Sequence, residues 1–418
     1  MRWSLLPLLL LSCATAPEPE RPPNFVIILA DDMGYGDSSV YDGWLATPQL
    51  ERMAAEGLTF TDFHSSGVVC SPTRAGLLTG LYQQRVGVGQ VVNADPAHPT
   101  HAGGLSPETT TFAEVLQAAG YRTGIFGKWH LGYDPKFNPV HHGFDEFCGF
   151  VSGNIDYQSH YDRMGTHDWW VGVEKGEESG YLTEILTRHA VDFIERHADQ
   201  PFCLYLPHGA VHSPIQGPSS PAVRGPGRGD RDSRPREVIV AEMMQALDTH
   251  VGVVLDTLRE HGVEEDTLVL FLSDNGGARH MRNDPLRGWK GSEWEGGHRV
   301  PAIARWPGRI AVSSKSEDLC ITLDLMPTML DLAGLGGPPT DGLSLVGVFD
   351  GQPVGPRQLF WNGRAMREDH WKFMARQGGQ LFDLSVDLGE RQNLAQQHPE
   401  RVAAMAAALA AWRRDVGM

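Results

Sequence analysis

Four short clusters of reactive side chains stand out in the sequence, and each follows an apolar run. Asp31 and Asp32 follow NFVIILA, Lys128, Trp129 and His130 follow TGIFG, His212 follows FCLYLPHGAV, and Asp274 and Asn275 follow LVLFLS. Singly, an Asp-Asp or Asp-Asn after a strand reads as a turn or helix cap. Jointly they assemble a chemistry. Asp31, Asp32, Asp274 and Asn275 offer oxygen ligands suited to a hard cation, Ca²⁺ or Mg²⁺, and not to zinc. Arg74, Lys128 and Lys290 fit around an anion beside it. His130 and His212 can move protons near neutral pH. A metal, a ring of cations and two imidazoles point to hydrolysis of a phosphate or sulfate ester. What is missing is a nucleophile, and Cys70 in VCSPTRAGLLTG is the group left over. The pattern there predicts a helix opened by Pro72 with Arg74 one turn in. At a helix N-terminus Cys70 is either an activated thiolate or a buried structural thiol, and a thiolate is a poor partner for a hard cation.

For these groups to meet, the runs before them must be neighbouring strands. Apolar runs alternate with helical patterns from about Asn24 to about Leu335. In TPQLERMAAEG, Thr47 is the expected cap, Pro48 takes the first helical position and Gly57 terminates. TTTFAEVLQAAG carries Thr111 and Glu114 at capping-box spacing. YLTEILTRHAVDFIERH is amphipathic, and VIVAEMMQALDTHVGVVLDTLREHG is a long helix. This rhythm predicts an α/β fold, a large and mostly parallel sheet sandwiched by helices. In such sheets the carboxyl ends of the strands line one crevice, where ligands bind. Between Pro214 and Pro235 lies a loop rich in Gly, Pro, Arg and Asp, read as surface or site rim. From about Leu345 the pattern changes to short β-like segments with a turn at Gly378-Gly379, then an alanine-rich helix, a small C-terminal α+β subdomain. The expected division is therefore a leader over 1–23, a catalytic domain over 24–344 and a subdomain over 345–418.

The chain has 418 residues and a formal net charge of −17, which argues against a nucleic-acid binder, since phosphate neutralisation needs a basic face. Any anion site must be a local basic pocket on an acidic surface. No run after the N-terminus reads as long enough to span a membrane. The N-terminus itself, MRWSLLPLLLLSCATAPEPERPP, has the short leucine-rich core of a signal peptide. Leu10-Leu11-Ser12-Cys13 resembles a bacterial lipobox, in which Cys13 is lipidated and becomes the new N-terminus, with Pro17 to Pro23 as an extended tether. The alternative is an ordinary signal cut nearby. The cysteines Cys13, Cys70, Cys148, Cys203 and Cys320 match no zinc or disulfide spacing; Cys148 and Cys203 read as core.

CSPTRAGLLTG resembles the signature of the type I sulfatases, C-x-P-[ST]-R followed by a small-apolar helix. GKWHLG is similar to the family's second signature. NFVIILADDMGYGD, HHGFDEFCGF, TLVLFLSDNGG, LRGWKGSEWEGGHRVPAI and LFDLSVDLGERQNLA match further landmarks in order, from Asn24 to the last helix. The resemblance implies an alkaline-phosphatase-like fold and oxidation of Cys70 to formylglycine, an aldehyde that hydrates to a geminal diol. It implies one cation, usually Ca²⁺ with Mg²⁺ second, held by Asp31, Asp32, Asp274, Asn275 and the diol of residue 70. Arg74 and Lys128 would orient the diol, with Lys128 also reaching the sulfate, and Lys290 would bind sulfate oxygens. One diol oxygen attacks sulfur, the alcohol leaves with a proton from His212 or Lys290, and His130 takes the proton from the second hydroxyl as sulfate is eliminated. Thr73 stands where serine is frequent.

Expected substrate is an O-sulfate ester on a carbohydrate. The other partners implied are a formylglycine-generating enzyme during maturation and a membrane, through a lipid on Cys13. The expected location is the bacterial cell envelope, periplasmic or outer surface, or secretion without the anchor. Rivals are a phosphate or phosphonate monoester hydrolase of the same superfamily and an inactive glycan-binding relative. His208 is a decoy, since only His212 is followed by SPIQGP. His141 and His142 read as scaffold or rim. GNIDYQSHYDR, with Asp156, Tyr157 and His160, resembles a segment at the substrate entrance of glycan-directed members.

Overall fold

The computed structural model describes residues 21–226 and 231–418. The expected leader and its Cys13 lie outside the described residues. Asn24–Ala30 is a fully buried strand at the middle of a ten-stranded sheet. Thr267–Ser273 and Phe202–Pro207 flank it in parallel, followed outward from the latter by Arg122–Lys128 and Glu146–Phe150, also parallel. Leu58–Phe60, Ala302–Arg305 and Ser314–Ser316 extend one side, with Ala302–Arg305 antiparallel to both its neighbours. Trp170–Val171 and Glu174–Lys175 close the other side antiparallel.

Alternation along the central strand divides the interior. Phe25, Ile27 and Leu29 point into one apolar cluster with Leu77, Leu78, Phe112, Leu116, Leu325 and Met329. Val26, Ile28 and Ala30 point into another with Leu50, Met53, Ile185, Phe193, Met243, Leu247 and Val251. Each face is thus covered by helices, as both faces of a parallel sheet must be. The helix Arg236–Glu260 is, contrary to the reading of the sequence, long and apolar enough by composition to cross a membrane. Its apolar residues are those that cover the second face, which explains the composition.

Two local expectations fail for tertiary reasons. Thr47 makes no side-chain cap on Pro48–Ala55, because its hydroxyl bonds to Ser38 and Ser39. The free N–H groups of Gln49 and Leu50 instead donate to Asp248, far away in sequence. Gly57 does not terminate that helix either; it lets the chain pass the neighbouring strand, since a Cβ there would lie 2.2 Å from the Ala304 carbonyl oxygen. The capping box at Thr111 and Glu114 is present.

A separate antiparallel sheet, Gln358–Trp361, Ala365–Glu368, Trp371–Met374 and Gln380–Asp383, packs with the helix Pro399–Asp415. Its core takes in Val68, Tyr82, Ile321 and Leu323 from the larger unit. The two units therefore share apolar surface immediately beside Cys70.

Candidate active site

The strand ends deliver their side chains to one crevice. Asp31 and Asp32 leave the central strand, and Asp32 adopts a left-handed backbone, φ 66°. His130 does the same after its strand, φ 57°. Non-glycine residues in that conformation are strained and concentrate at functional sites. Here they turn the chain sharply so that a carboxylate and an imidazole face the crevice.

The helix that carries Cys70 starts two residues earlier than the proline suggests: it spans Cys70–Thr79, with Val69 as cap and Pro72 inside the first turn. A proline is tolerated there because first-turn N–H groups have no helical partner. Thr73 bonds to the carbonyls of Gly67 and Val69, a role its hydroxyl shares with serine. Arg74 is fully buried, donates twice to Asp274 at 2.9 and 3.2 Å, and bonds the Lys128 carbonyl at 2.9 Å.

Around Cys70 the charges interlock. Its sulfur lies 3.1 Å from Lys290 Nζ and 3.7 Å from Asp31 Oδ1. Lys128 donates to Asp31 at 2.6 Å, and Lys290 to Asp32 at 2.5 Å. Asn275 donates to Asp32 at 2.8 Å, and its own Oδ1 is buried with no partner. An orphaned carbonyl oxygen beside three buried carboxylates fits a hard cation; ligand atoms of Asp31, Asp32, Cys70 and His212 lie within 4.8 Å of one another, and of these the carboxylate oxygens are the hard ones. The three carboxylates and the cations Arg74, Lys128 and Lys290 offset one another, so a divalent ion would leave the crevice positive and ready for an anion.

Burial pushes the Asp31 carboxyl up to about 7 despite Lys128. Asp32 is also buried, but Lys290 and His212 hold it well below the usual range. Burial likewise pushes the Cys70 thiol up to about 12, with the two lysines opposing. As a cysteine, residue 70 is thus a neutral thiol near pH 7, and the activated-thiolate alternative falls.

The two histidines differ. His130 Nε2 lies 2.9 Å from the Val92 carbonyl, so that nitrogen carries the hydrogen. Nδ1 is left with a lone pair and no partner. Burial, with Lys128 and Arg74, keeps the ring neutral, the state of a base. His212 donates from Nδ1 to the Ser213 carbonyl and turns Nε2 towards Asp32 Oδ2 at 3.5 Å. Burial lowers it to about 3, against the pull of Asp32. Lys290, although buried, is held charged by Asp32 and its neighbours. Before substrate arrives, Lys290 is the proton donor of the pair.

A cavity of about 360 Å³ opens over this cluster, lined by Cys70, His130, His212 and Lys290 among others. The side chains of Lys290 and His212 are 20% and 14% exposed, whereas Lys128, Asp31 and Asp274 are sealed. Only the former two can meet a substrate's bridging oxygen. His208 lies in the core, with neither ring nitrogen bonded, and does not line the cavity. His142 is equally buried against Trp129. In GNIDYQSHYDR the structure gives a different set from the expected one. Asp156, Tyr157 and His160 are buried in the scaffold, and Gly153, Asn154 and Arg163 face the cavity. A Cβ on Gly153 would lie 2.8 Å from the His130 ring, so glycine lets the segment close over it.

Sequence reasoning missed the groups that steer these. Ser71 accepts the Val92 N–H, which sets the carbonyl that orients His130. Glu390, from the C-terminal unit, accepts the Glu295 N–H, and its carbonyl accepts from Arg287. Together these brace both ends of the loop carrying Lys290. No spacing in the sequence signals either contact.

Comparison with known proteins gives a concordant result. The family model described as Sulfatase matches residues 23–335. The chain is 35% identical over 391 residues to N-acetylgalactosamine-6-sulfatase of Canis lupus familiaris, covering 86% of this chain and 72% of the relative. It is 35% identical over 408 residues to human arylsulfatase A, covering 88% and 76%. The crystal structure of Ps i-CgsB in complex with k-i-k-neocarrahexaose superposes with a TM-score of 0.83 at 26% identity, covering 94% and 93%.

Proposed function

This chain belongs to the sulfatase family and is a sulfuric ester hydrolase, and from that premise we propose that it removes an O-sulfate from a carbohydrate, with residue 70 acting as formylglycine beside one Ca²⁺. The observation that carries the reading is the pairing of Cys70 with Lys290 and Asp31 in a crevice of hard oxygen ligands. An oxygen nucleophile at that position suits the crevice, and an inert thiol does not. The carbohydrate half of the reading is supported by a relative named for a sulfated sugar, N-acetylgalactosamine-6-sulfatase, and by the neighbour solved with k-i-k-neocarrahexaose.

Asp31, Asp32, Asp274 and Asn275 would hold the ion, which supplies charge stabilisation for the sulfate oxygens. Arg74 fixes Asp274, and Lys128 fixes Asp31, so the ligands are oriented before substrate binds. Lys290, already charged, binds the incoming sulfate. The sulfate monoanion, and the negative charge that builds on the leaving oxygen, raise the proton affinity of His212; once its Nε2 has taken up a proton from solvent it shares the donor role with Lys290. His130 Nδ1, unprotonated and unbonded, takes the proton from the hydrate of residue 70 once the alcohol has gone. A lipid anchor at Cys13 would hold the enzyme at the cell envelope; fractionation of wild type and Cys13→Ala should move it from membrane to soluble fraction.

Purified enzyme assayed in parallel on 4-nitrophenyl sulfate, an aryl phosphonate and defined sulfated saccharides tests the proposal. Sulfate release from saccharides with little phosphonate turnover is the expected result. Preference for the phosphonate would favour the monoester-hydrolase rival.

A further inference from the structure

Two arginines in the cavity wall remain unexplained by sulfate-ester chemistry. Arg163 and Arg224 line the same cavity as Cys70 and Lys290, one at the end of GNIDYQSHYDR and the other in the Gly/Pro/Arg/Asp-rich loop. Both guanidiniums are held by neutral groups. Arg163 donates to the Asn93 side-chain oxygen. Arg224 donates to the Asn154 side-chain oxygen at 2.6 Å and to its carbonyl at 3.4 Å. Among the described residues, neither forms an ion pair within 4.0 Å.

The nearby carboxylates attract Arg224 through space but bond to neither guanidinium, being turned to backbone N–H groups. Asp156 accepts from the backbone N–H groups of Gln158, Ser159, Val223 and Arg224 and from the Gln216 amide. Asp162 accepts from Met164 and Thr166. Arg224 is half-buried, and burial lowers its affinity for a proton; Asp156 and Asp162 pull the other way, and the repulsion of Arg163 adds to the burial. Arg163 is exposed at the cavity mouth and Arg224 lies deeper, yet both are hydrogen-bonded to neutral oxygens alone and face one cavity, in a chain of net charge −17. Each keeps free N–H donors in the fork geometry that matches a planar carboxylate or a sulfate.

We propose that Arg163 and Arg224 form a second anion subsite, which receives a carboxylate or a further sulfate of the saccharide whose scissile sulfate lies at residue 70. The proposal rests on the carbohydrate reading above and deepens it: the substrate is a polyanionic sugar, not a singly sulfated neutral one. Asn93 and Asn154 act as positioning residues that aim the two guanidiniums without neutralising them.

The test is binding in the Cys70→Ala background, which does not turn substrate over. Three probes are titrated by calorimetry: N-acetylgalactosamine 6-sulfate, N-acetylgalactosamine 4,6-disulfate, and the 6-sulfate linked to glucuronate. At least one two-anion probe should bind about 10–100-fold more tightly than the single-anion probe, the worth of one charge-assisted hydrogen-bonded pair or two. The arm that gains tells a ring sulfate from a neighbouring carboxylate. Adding Arg163→Ala and Arg224→Ala should collapse the ratio to within about threefold, with calcium content and thermal transition reporting an intact fold. Equal binding of all three probes, undetectable binding included, overturns the subsite, as does a preference that survives both substitutions. Turnover of 4-nitrophenyl sulfate by the wild type is a separate readout: its absence strikes the sulfatase mechanism and leaves the binding ratio to be judged alone.

Discussion

Asp274→Ala should cost far more stability than the loss of one side chain, and should do so before any metal is considered. The Asp274 carboxylate and the Arg74 guanidinium are sealed from solvent and joined by two hydrogen bonds of 2.9 and 3.2 Å. Removing the carboxylate leaves a buried cation with one backbone acceptor, the Lys128 carbonyl, and also orphans the Asp32 N–H that donates to Asp274 Oδ1. Breaking a buried pair from one side costs ~3–5 kcal/mol, mostly the penalty of the stranded charge. The assay is chemical denaturation in a chelator, so that metal linkage contributes nothing. Asp274→Asn keeps an acceptor for the Asp32 N–H and should fall between wild type and alanine. With calcium at about a hundred times its Kd, the wild type should gain a further ~2.7 kcal/mol by mass action, and the variants little of it. If both variants lie within about 1 kcal/mol of wild type in chelator, the buried-pair reasoning is wrong. A difference that emerges only with calcium would make Asp274 a ligand alone.

His212→Ala should cut kcat by about 10²–10⁴ on a sulfated sugar, whose alkoxide needs a proton, and far less on 4-nitrophenyl sulfate; equal losses on both would assign the donor role to Lys290. Gly153→Ala drives a Cβ to 2.8 Å from the His130 ring, so it should lower kcat on every substrate while calcium affinity stays unchanged; an unchanged kcat would refute the role of Nδ1. Asp31 is raised to about 7 by burial, so below that pH calcium must displace a proton. Calcium affinity measured by titration should therefore be flat above about pH 8 and fall about tenfold per unit below about pH 7; a flat profile from pH 8 to 6 contradicts it.

The strands were legible because a parallel sheet buries them on both faces, and NFVIILA and TLVLFLS have no alternation to confuse. The residues just past their ends follow from topology alone, which is why Asp31, Asp32, Lys128, Asp274 and Asn275 could be gathered in advance. Local rules failed where a distant group took over. Asp248 caps the Pro48 helix in place of Thr47, and Gly57 answers to the Ala304 backbone. The rim was legible only as segments. GNIDYQSHYDR and the loop after Pro214 do reach the cavity, yet which side chains face it depends on backbone turns that no period encodes. Asp156 looks like a ligand and is a loop brace, whereas Arg163 and Arg224 look like surface charge and line the site. The brace from Glu390 to the Lys290 loop joins residues about a hundred apart in sequence, and such a contact has no local signature.

Everything proposed for the chemistry depends on the state of residue 70. Active enzyme, purified from a host with the modifying machinery, should be digested and the peptide spanning Val69 to Arg74 analysed by mass spectrometry, with hydrazide capture of aldehydes. The account predicts a captured aldehyde at position 70, in a fraction that tracks specific activity from one preparation to the next. Full specific activity from a preparation whose Cys70 is entirely unmodified would contradict it.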